Sequence, residues 1–387
     1  MISYEDALAP LLALAEPLGD ERVPLTEAAG RTLAKPVIAP RDQPPFAAAS
    51  MDGYALRSVD AAPGARLAVA GESAAGRRWN GHLPDGACVR IFTGAPVPPG
   101  CDRVVIQEDV TRERDEIVIG ADPDPGPYIR PAGWDFAAGA RLAAGPLTPA
   151  RIALAAAMGA TELTVARRPT VAILPTGDEL VLAGEAPGPD EIVSSNGYGV
   201  AAMLRAAGAE PRLLPPAPDE REGLARAIDL TRGADLILTI GGASVGDHDL
   251  VGEVAGTLGL DRSFYKVAMR PGKPLMAGRM DGAAFVGLPG NPVSAMVCAR
   301  VFGLPMIRRM LGQPPEPAEW MPLAAPVEAN GARRHFMRAR IEGGAVRPMG
   351  RQDSSLLTVL SEADTLLVRP PHDPPRPAGH DVEVRRL

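Results

Sequence analysis

The stretch ADLILTIGGASVGDHD, residues 234–249, decides how this chain is read. Asp235 leads into the apolar run 236–240, the length of a strand buried on both faces of a parallel sheet. Gly241 and Gly242 break the run, and Ser244, Gly246, Asp247 and Asp249 precede a helical segment over 250–258. Paired glycines permit positive φ and let a ligand approach the backbone. Free N–H groups of such a turn, followed by a helix N-terminus, form an anion site. Asp247 and Asp249 would repel a bare phosphate unless a divalent cation lay between them and it. The turn reads as a site for a magnesium-bridged phosphate, and with equal weight as a tight turn with Asp as helix N-cap.

Outward from this stretch, strands alternate with helices. Residues 170–174 read as a strand, then TGDEL at 176–180; a helix follows SSNGYG at 194–199; 212–214 is a short strand and 220–232 a helix. Beyond the opening stretch come strands at 263–269 and 284–288 and a long helix over 292–310. This alternation predicts a doubly wound parallel sheet, in which ligands bind beyond the carboxyl ends of the strands. The loops TGDEL, GGASVGDHD, RPGKP and PGNPVS all follow strands and should gather on one edge.

Upstream, 4–18 has helical spacing with Ser3 as N-cap, and 25–33 reads as a second short helix capped by Thr26. Short strands between turns over 66–119 predict a small β-rich domain, with SMDGYA at 50–55 before it and Thr93 at a strand end. Arg130, Trp134 and Asp135 share a Gly/Pro-rich loop, and 147–158 is a helix capped by Thr148 with Pro149 in its first position. Downstream of a Pro-rich linker at 313–317, HFMRARI, AVRPM, TLLVRP and DVEVRRL predict a small C-terminal β-barrel. The fold class is therefore α/β plus β in several domains. The expected limits are 1–45 with 140–168 (N-terminal), 46–139 (inserted, β-rich), 169–312 (α/β) and 318–387 (barrel).

Composition narrows the function. A net charge of −7 argues against nucleic acid and anionic membranes as partners, so an anionic substrate must meet a local basic patch. No apolar run approaches membrane-spanning length, and the acidic N-terminus lacks the basic flank of a secretory signal. Three scattered cysteines give neither a disulfide framework nor a zinc site, and point to a reducing, cytoplasmic compartment. HExxH is absent, and the histidines at 82, 248, 335, 372 and 380 have no helpful companions, which disfavours a zinc protease or a covalent serine hydrolase.

The basic patch is YKVAMRPGKP, whose Pro-Gly turn brings Arg270 and Lys273 together near Lys266. Pro289, Gly290, Asn291 and Pro292 end a strand and open a helix, with Asn291 as cap and Pro292 in the first position.

Taken together and in order, SMDGYA, FTGAP, TGDEL, SSNGYG, GGASVGDHD, RPGKP and PGNPVS resemble the MoeA family, which includes the gephyrin E domain and the plant Cnx E domain. The resemblance covers nearly the whole chain, and residues 170–310 alone resemble the wider molybdopterin-binding group that contains the preceding adenylyltransferase. It implies a molybdopterin molybdenumtransferase: adenylylated molybdopterin and molybdate are substrates, Mg2+ is the cofactor, and AMP leaves. It implies an elongated homodimer with an elongated N-terminal domain, each site lying between the third domain of one chain and the second of its partner. The upstream adenylyltransferase and downstream molybdoenzymes are expected contacts. By motif, Asp52, Thr93 and Asp135 contribute from the N-terminal half, and Glu179, Asp249, Lys266 and Arg270 complete the catalytic set. Gly241, Gly242, Ser244, Gly246, Lys273, Pro289, Gly290, Asn291, Pro292, Arg338 and Ser354 bind substrate; Asp247, Asp249 and Glu179 hold magnesium. Arg270 stands where many relatives have Lys, which replaces a point charge by a planar fork. The alternative is a dimeric scaffold that binds a pterin or a protein without turnover.

Overall fold

A computed structural model describes residues 1–242 and 250–387, the Tyr265 side chain excepted. The chain forms two compact units, one of residues 1–22, 30–34 and 164–387, the other of residues 23–29 and 35–163.

The first unit is built on a six-stranded sheet of β1 (Thr170–Pro175), β2 (Glu210–Leu213), β3 (Leu236–Ile240), β4 (Asp261–Lys266), β5 (Pro274–Met280) and β6 (Ala283–Leu288), in the order β2-β1-β3-β6-β5-β4. The first four strands in that order are parallel, and β3 and β6 are buried along their whole length, as strands covered by helices must be. The sheet is mixed, because β5 and β4 run antiparallel at one edge. β5 went unseen in the sequence, yet its turn carried a signal. Asp281 and Gly282, both at positive φ, form the two-residue link between the paired Met280 and Ala283.

Helices α1 (Tyr4–Leu14), α2 (Asn196–Ala206), α3 (Arg221–Asp229), α4 (Leu250–Thr257) and α5 (Pro292–Cys298) accompany this sheet. The predicted Ser3 cap is formed: its hydroxyl accepts from Asp6 N at 3.0 Å. Ala7, Leu11 and Ala15 join the core with Ile173, Leu238 and Val286; each such Leu or Ile contributes roughly 1.5–3 kcal/mol by its burial. The helix expected over 292–310 is present, with a π-helical segment Ala299–Gly303 between α5 and α6 (Leu304–Met310). Pro292 takes the first position of α5, but the Asn291 side chain does not cap it.

In the same unit, β7 (Arg334–Glu342), β8 (Thr365–Arg369) and β9 (Asp381–Arg386) form a sheet with Glu319–Pro322 and Ala345–Pro348. A bridge from Leu323 to Val346 joins its two ends and closes the small barrel around Ala339, Val346, Leu367 and Val384.

The second unit is centred on a six-stranded sheet in which Gly53–Leu56 lies between Arg103–Ile106 and Ala87–Ile91. SMDGYA is therefore the entry to a central strand and not a free turn. A Cβ at Gly53 would lie 2.0 Å from Val105 O, so only glycine allows this strand to close up. The helix expected over 25–33 does not form: Leu25–Glu27 is a single 3-10 turn and Thr32–Leu33 a short strand. Tertiary pairing outweighs the helical propensity of that segment. The helix Pro149–Ala157 is capped by Thr148 as predicted, its hydroxyl accepting from Arg151 N at 3.3 Å. Among the described residues no helix is long and apolar enough to cross a membrane.

Candidate active site

At the carboxyl ends of β1, β3 and β6 the first unit opens into a cavity of about 610 Å³. It collects Thr176, Gly177 and Glu179 after β1, Gly241 and Gly242 after β3, and Pro289 to Pro292 after β6. This is where a parallel sheet offers backbone groups to a ligand. Gly241 has φ +103° and a Cβ there would lie 2.4 Å from Thr176 O; at Gly242, φ is +63° and a Cβ would lie 2.1 Å from Val251 Cγ2. Both positions need glycine on two counts. Asn196 Nδ2 donates to Gly290 O at 2.7 Å and ties the α2 start to the PGNP turn. The Asn196 Oδ1 and the Thr176 hydroxyl are buried without a hydrogen-bond partner among the described residues.

Among the described residues two carboxylates line this cavity, Glu179 and Asp219. Asp219 N donates to Asp178 Oδ1 at 2.9 Å. Partial burial, with Asp178 and Glu179 nearby, raises the Asp219 carboxyl above the ordinary range. Sequence reasoning passed over Asp219. Its signal was position: it follows Ala217, which bridges to Thr176 beyond the end of β1.

A second cavity of about 690 Å³ shares Pro274 and Asn291 with the first. Cations outnumber carboxylates in its described lining, with Arg270, Lys273 and Arg333 against Asp353, beside Ser294 and Ser354. The RPGKP loop can turn so sharply because Gly272 sits at φ +97°, where a Cβ would lie 2.4 Å from Cys298 Sγ. Ser354 O accepts from Val293 N at 3.0 Å, which fixes the loop after the barrel strands to the first turn of α5. Behind the wall lies Arg338, fully buried. Its Nη2 donates to Asp353 O at 3.0 Å, and its backbone N–H and C=O bond the Gln352 amide at 3.0 and 2.9 Å. Its Nε and Nη1 have no partner among the described residues. Burial and the nearby Arg270 pull the guanidinium below its ordinary pKa. A buried cation with idle donors is costly unless an anion completes it. Lys266 lies in β4 opposite Pro274 and lines neither cavity.

In the second unit Asp52 and Thr93 are joined directly. Asp52 Oδ1 accepts from Thr93 N at 2.7 Å and from the Thr93 hydroxyl at 2.8 Å. These bonds hold the Asp52 carboxyl below the ordinary carboxylate range, with Arg90 adding a smaller pull. Asp135 lines a separate cavity of about 570 Å³ together with Gly94, Arg130 and Trp134.

Ser244, Gly246, Asp247 and Asp249 fall outside the described residues. Among the described residues no group of three or more His, Cys, Asp and Glu is placed to hold a metal ion. What can be weighed for magnesium is the donor chemistry: Glu179 and Asp219 offer only oxygen, and their mutual crowding is what a hard divalent cation relieves.

The architecture defines a class: a molybdopterin-binding-type α/β domain joined to a C-terminal barrel and a β-rich N-terminal half. Residues 2–159 match the model of the MoeA N-terminal region (domain I and II), residues 172–309 that of a probable molybdopterin binding domain, and residues 321–387 that of the MoeA C-terminal region (domain IV). The chain belongs to the MoeA family. It is 36% identical to the molybdopterin molybdenumtransferase of Synechococcus elongatus over the full length of both chains. It is 35% identical to molybdopterin molybdenumtransferase 2 of Mycobacterium tuberculosis over 98% of each. Among solved structures, a molybdopterin biosynthesis moeA protein of Pyrococcus horikoshii superposes with a TM-score of 0.83 at 30% identity, covering 100% of this chain and 99% of that one.

Proposed function

We propose that the chain is a molybdopterin molybdenumtransferase: it takes adenylylated molybdopterin and molybdate, releases AMP and leaves molybdenum on the dithiolene of the pterin. The observation that carries the reading is the join of two unlike cavities at Asn291, one edged by carboxylates and a glycine turn, the other cationic. Such a pair suits a substrate anionic along its length, with an oxyanion beside its phosphoanhydride.

Arg270 and Lys273 serve as the oxyanion clamp, and Arg338 adds two idle donors from behind. Bidentate donation from Arg270 suits the tetrahedral oxygens of molybdate. The Gly242 backbone and the Gly290–Asn291 part of the PGNP turn meet the phosphate side, the Gly241 N–H being bonded to Leu288 O. Asp52, held ionised by Thr93, and Asp135 are the catalytic carboxylates of the second unit. No side chain needs to form a covalent bond. A molybdate oxygen attacks the molybdopterin phosphorus and AMP leaves. The two dithiolene sulfurs then bind molybdenum as displaced oxygen ligands depart as water, and water cleaves the phosphate–oxygen–molybdenum link. Positioning and charge neutralisation therefore supply the acceleration. Magnesium would be held by Glu179 with the Asp247 and Asp249 carboxylates, and when bound it supplies neutralisation of phosphate charge. The working form is a cytoplasmic homodimer, in contact with the upstream adenylyltransferase and the downstream molybdoenzymes.

The test is AMP release from adenylylated molybdopterin, with molybdate and magnesium present or withheld. Release that needs both, with metal on the pterin, supports the transferase. Tight binding without release under any oxyanion would make the chain a scaffold.

A further inference from the structure

The cavity of the second unit carries an exposed aromatic that the proposed reaction has not used. Trp134 is 68% exposed, as Trp320 is at 62%, a cost for so large an apolar side chain; unlike Trp320, it stands in a cavity. It is not a frayed tip. Trp134 N donates to Pro131 O at 3.2 Å, Gly133 N to Pro44 O at 2.9 Å and Asp135 N to Gln43 O at 2.9 Å. Gln43 N returns a bond to Phe136 O at 2.8 Å, and Phe136 is buried beneath. The indole is therefore presented by a loop pinned on both flanks. Around it in the same cavity stand Phe46, Arg130 and Asp135. Arg130 is held by its backbone in a short ladder against Ala48, and it lines the cavity together with Asp135. An aromatic face, a cation and a carboxylate on the wall of one cavity make a receptor for a flat heterocycle that carries an anionic arm.

The edge chemistry selects among flat heterocycles. An ionised carboxylate only accepts. A 2-amino-4-oxopyrimidine ring, as in a pterin, presents two adjacent N–H donors that fit its two oxygens. The adenine edge presents one donor and one acceptor, and leaves a carboxylate oxygen facing a ring nitrogen. We propose that Trp134 and Asp135 form the pterin subsite: the ring stacks on the Trp134 indole, its amino edge donates to Asp135, and Arg130 meets the anionic arm. This rests on the proposed transferase reading, which supplies a pterin as substrate; it adds which end of that substrate this cavity takes.

The full-length protein is titrated into pterin-6-carboxylate, followed by the anisotropy of the pterin's own fluorescence, and into AMP, followed by calorimetry. Wild type should bind the pterin more tightly than AMP at this site. Trp134→Ala should weaken pterin binding about tenfold, the scale of one lost stacking contact, and Trp134→Phe should restore most of it. Asp135→Asn places a donor and an acceptor at the edge, so it should weaken the pterin and strengthen AMP. Unchanged pterin binding in Trp134→Ala, or an Asp135→Asn variant that loses both ligands alike, would overturn the subsite. Wild-type AMP release separates the two readings. Release with Trp134-independent pterin binding removes the subsite alone, and pterin binding that follows these variants without any release removes the transferase alone.

Discussion

Thr93 donates twice to one oxygen of Asp52, from its backbone N–H at 2.7 Å and from its hydroxyl at 2.8 Å, across 41 positions of chain. One of those donors is a side chain and can be removed without disturbing the other. Thr93→Val keeps the shape and the backbone bond and deletes the hydroxyl bond. The Asp52 pKa is depressed by this pair of bonds, so it should rise toward its ordinary value in the variant. The sign for stability follows: a carboxyl with a depressed folded pKa stabilises the fold above its unfolded pKa, and loses that contribution as pH falls. Thr93→Val should therefore carry less of this acid-sensitive contribution, and the acid limb of AMP release should move to higher pH. A carbon-detected titration of the Asp52 carboxyl reads the shift directly, and an unmoved midpoint would remove Thr93 as its cause.

Arg338 poses the opposite trade. It is fully buried, with one guanidinium bond to Asp353 O and two idle nitrogens. Apolar replacement of a poorly satisfied buried charge is often neutral or stabilising, by about 1–4 kcal/mol. Arg338→Met should leave the melting temperature unchanged or raise it. The molybdate dependence of AMP release should be lost in the same protein, by roughly a hundredfold in the molybdate concentration required, a cost of about 3 kcal/mol. Thermal unfolding and a molybdate titration on one preparation decide the matter. A variant that melts early would show that Arg338 holds the barrel together and does not wait for an anion.

Much of the fold was legible because burial leaves a plain mark. Leu236–Ile240 and Ala283–Leu288 are continuous apolar runs, and covered parallel strands have no other signature. What escaped was written in glycine. Gly53 reads as half of an Asp-Gly turn, but its lack of a side chain serves a close strand contact with Val105. The Asp281–Gly282 pair, a true hairpin link, lay beside a loop whose cations drew attention instead. For the site, motif order marked the glycine turns and the Arg270–Lys273 pair. Asp219 and Arg333 belong to no compact motif, and only the folded chain brings them to the cavity walls. A residue whose role depends on three-dimensional neighbours, such as Arg338 with its idle nitrogens, cannot be ranked from spacing alone.

The three cysteines give a prediction about reactivity. Burial pushes the Cys88 thiol up to about 12 and Cys101 up to about 11, and raises Cys298, which lies fully buried against Gly272 O. The thiolate is the reactive form, so none should be appreciably nucleophilic near neutral pH. Native protein at pH 8 should react with a thiol-specific disulfide reagent at least about tenfold more slowly than the same protein in denaturant. AMP release should also survive alkylating conditions that modify free cysteine. Fast labelling of the native fold at Cys88 or Cys298 would contradict the burial on which this rests.

Two glycines of the first unit separate a backbone requirement from mere flexibility. Gly241 ends β3 at φ +103°, where a Cβ would lie 2.4 Å from the carbonyl oxygen of Thr176. Gly256 lies in α4 with nothing within 4 Å of a Cβ position and no positive φ. At Gly241 a methyl group meets backbone and not a yielding side chain, and the φ itself costs about 1–3 kcal/mol for a residue with a Cβ. At Gly256 the methyl group meets open space, and the helix gains about 0.5–1 kcal/mol from alanine. Gly241→Ala should lower the urea midpoint, and Gly256→Ala should raise it with an unchanged slope. Gly241→Ala should also weaken nucleotide-side binding, because any relief of the clash must move Thr176 or the turn, both of which line the first cavity. Equal midpoints for the two variants would mean that the β3 turn relaxes freely, and the case for a preformed phosphate turn at Gly241 would fall with it.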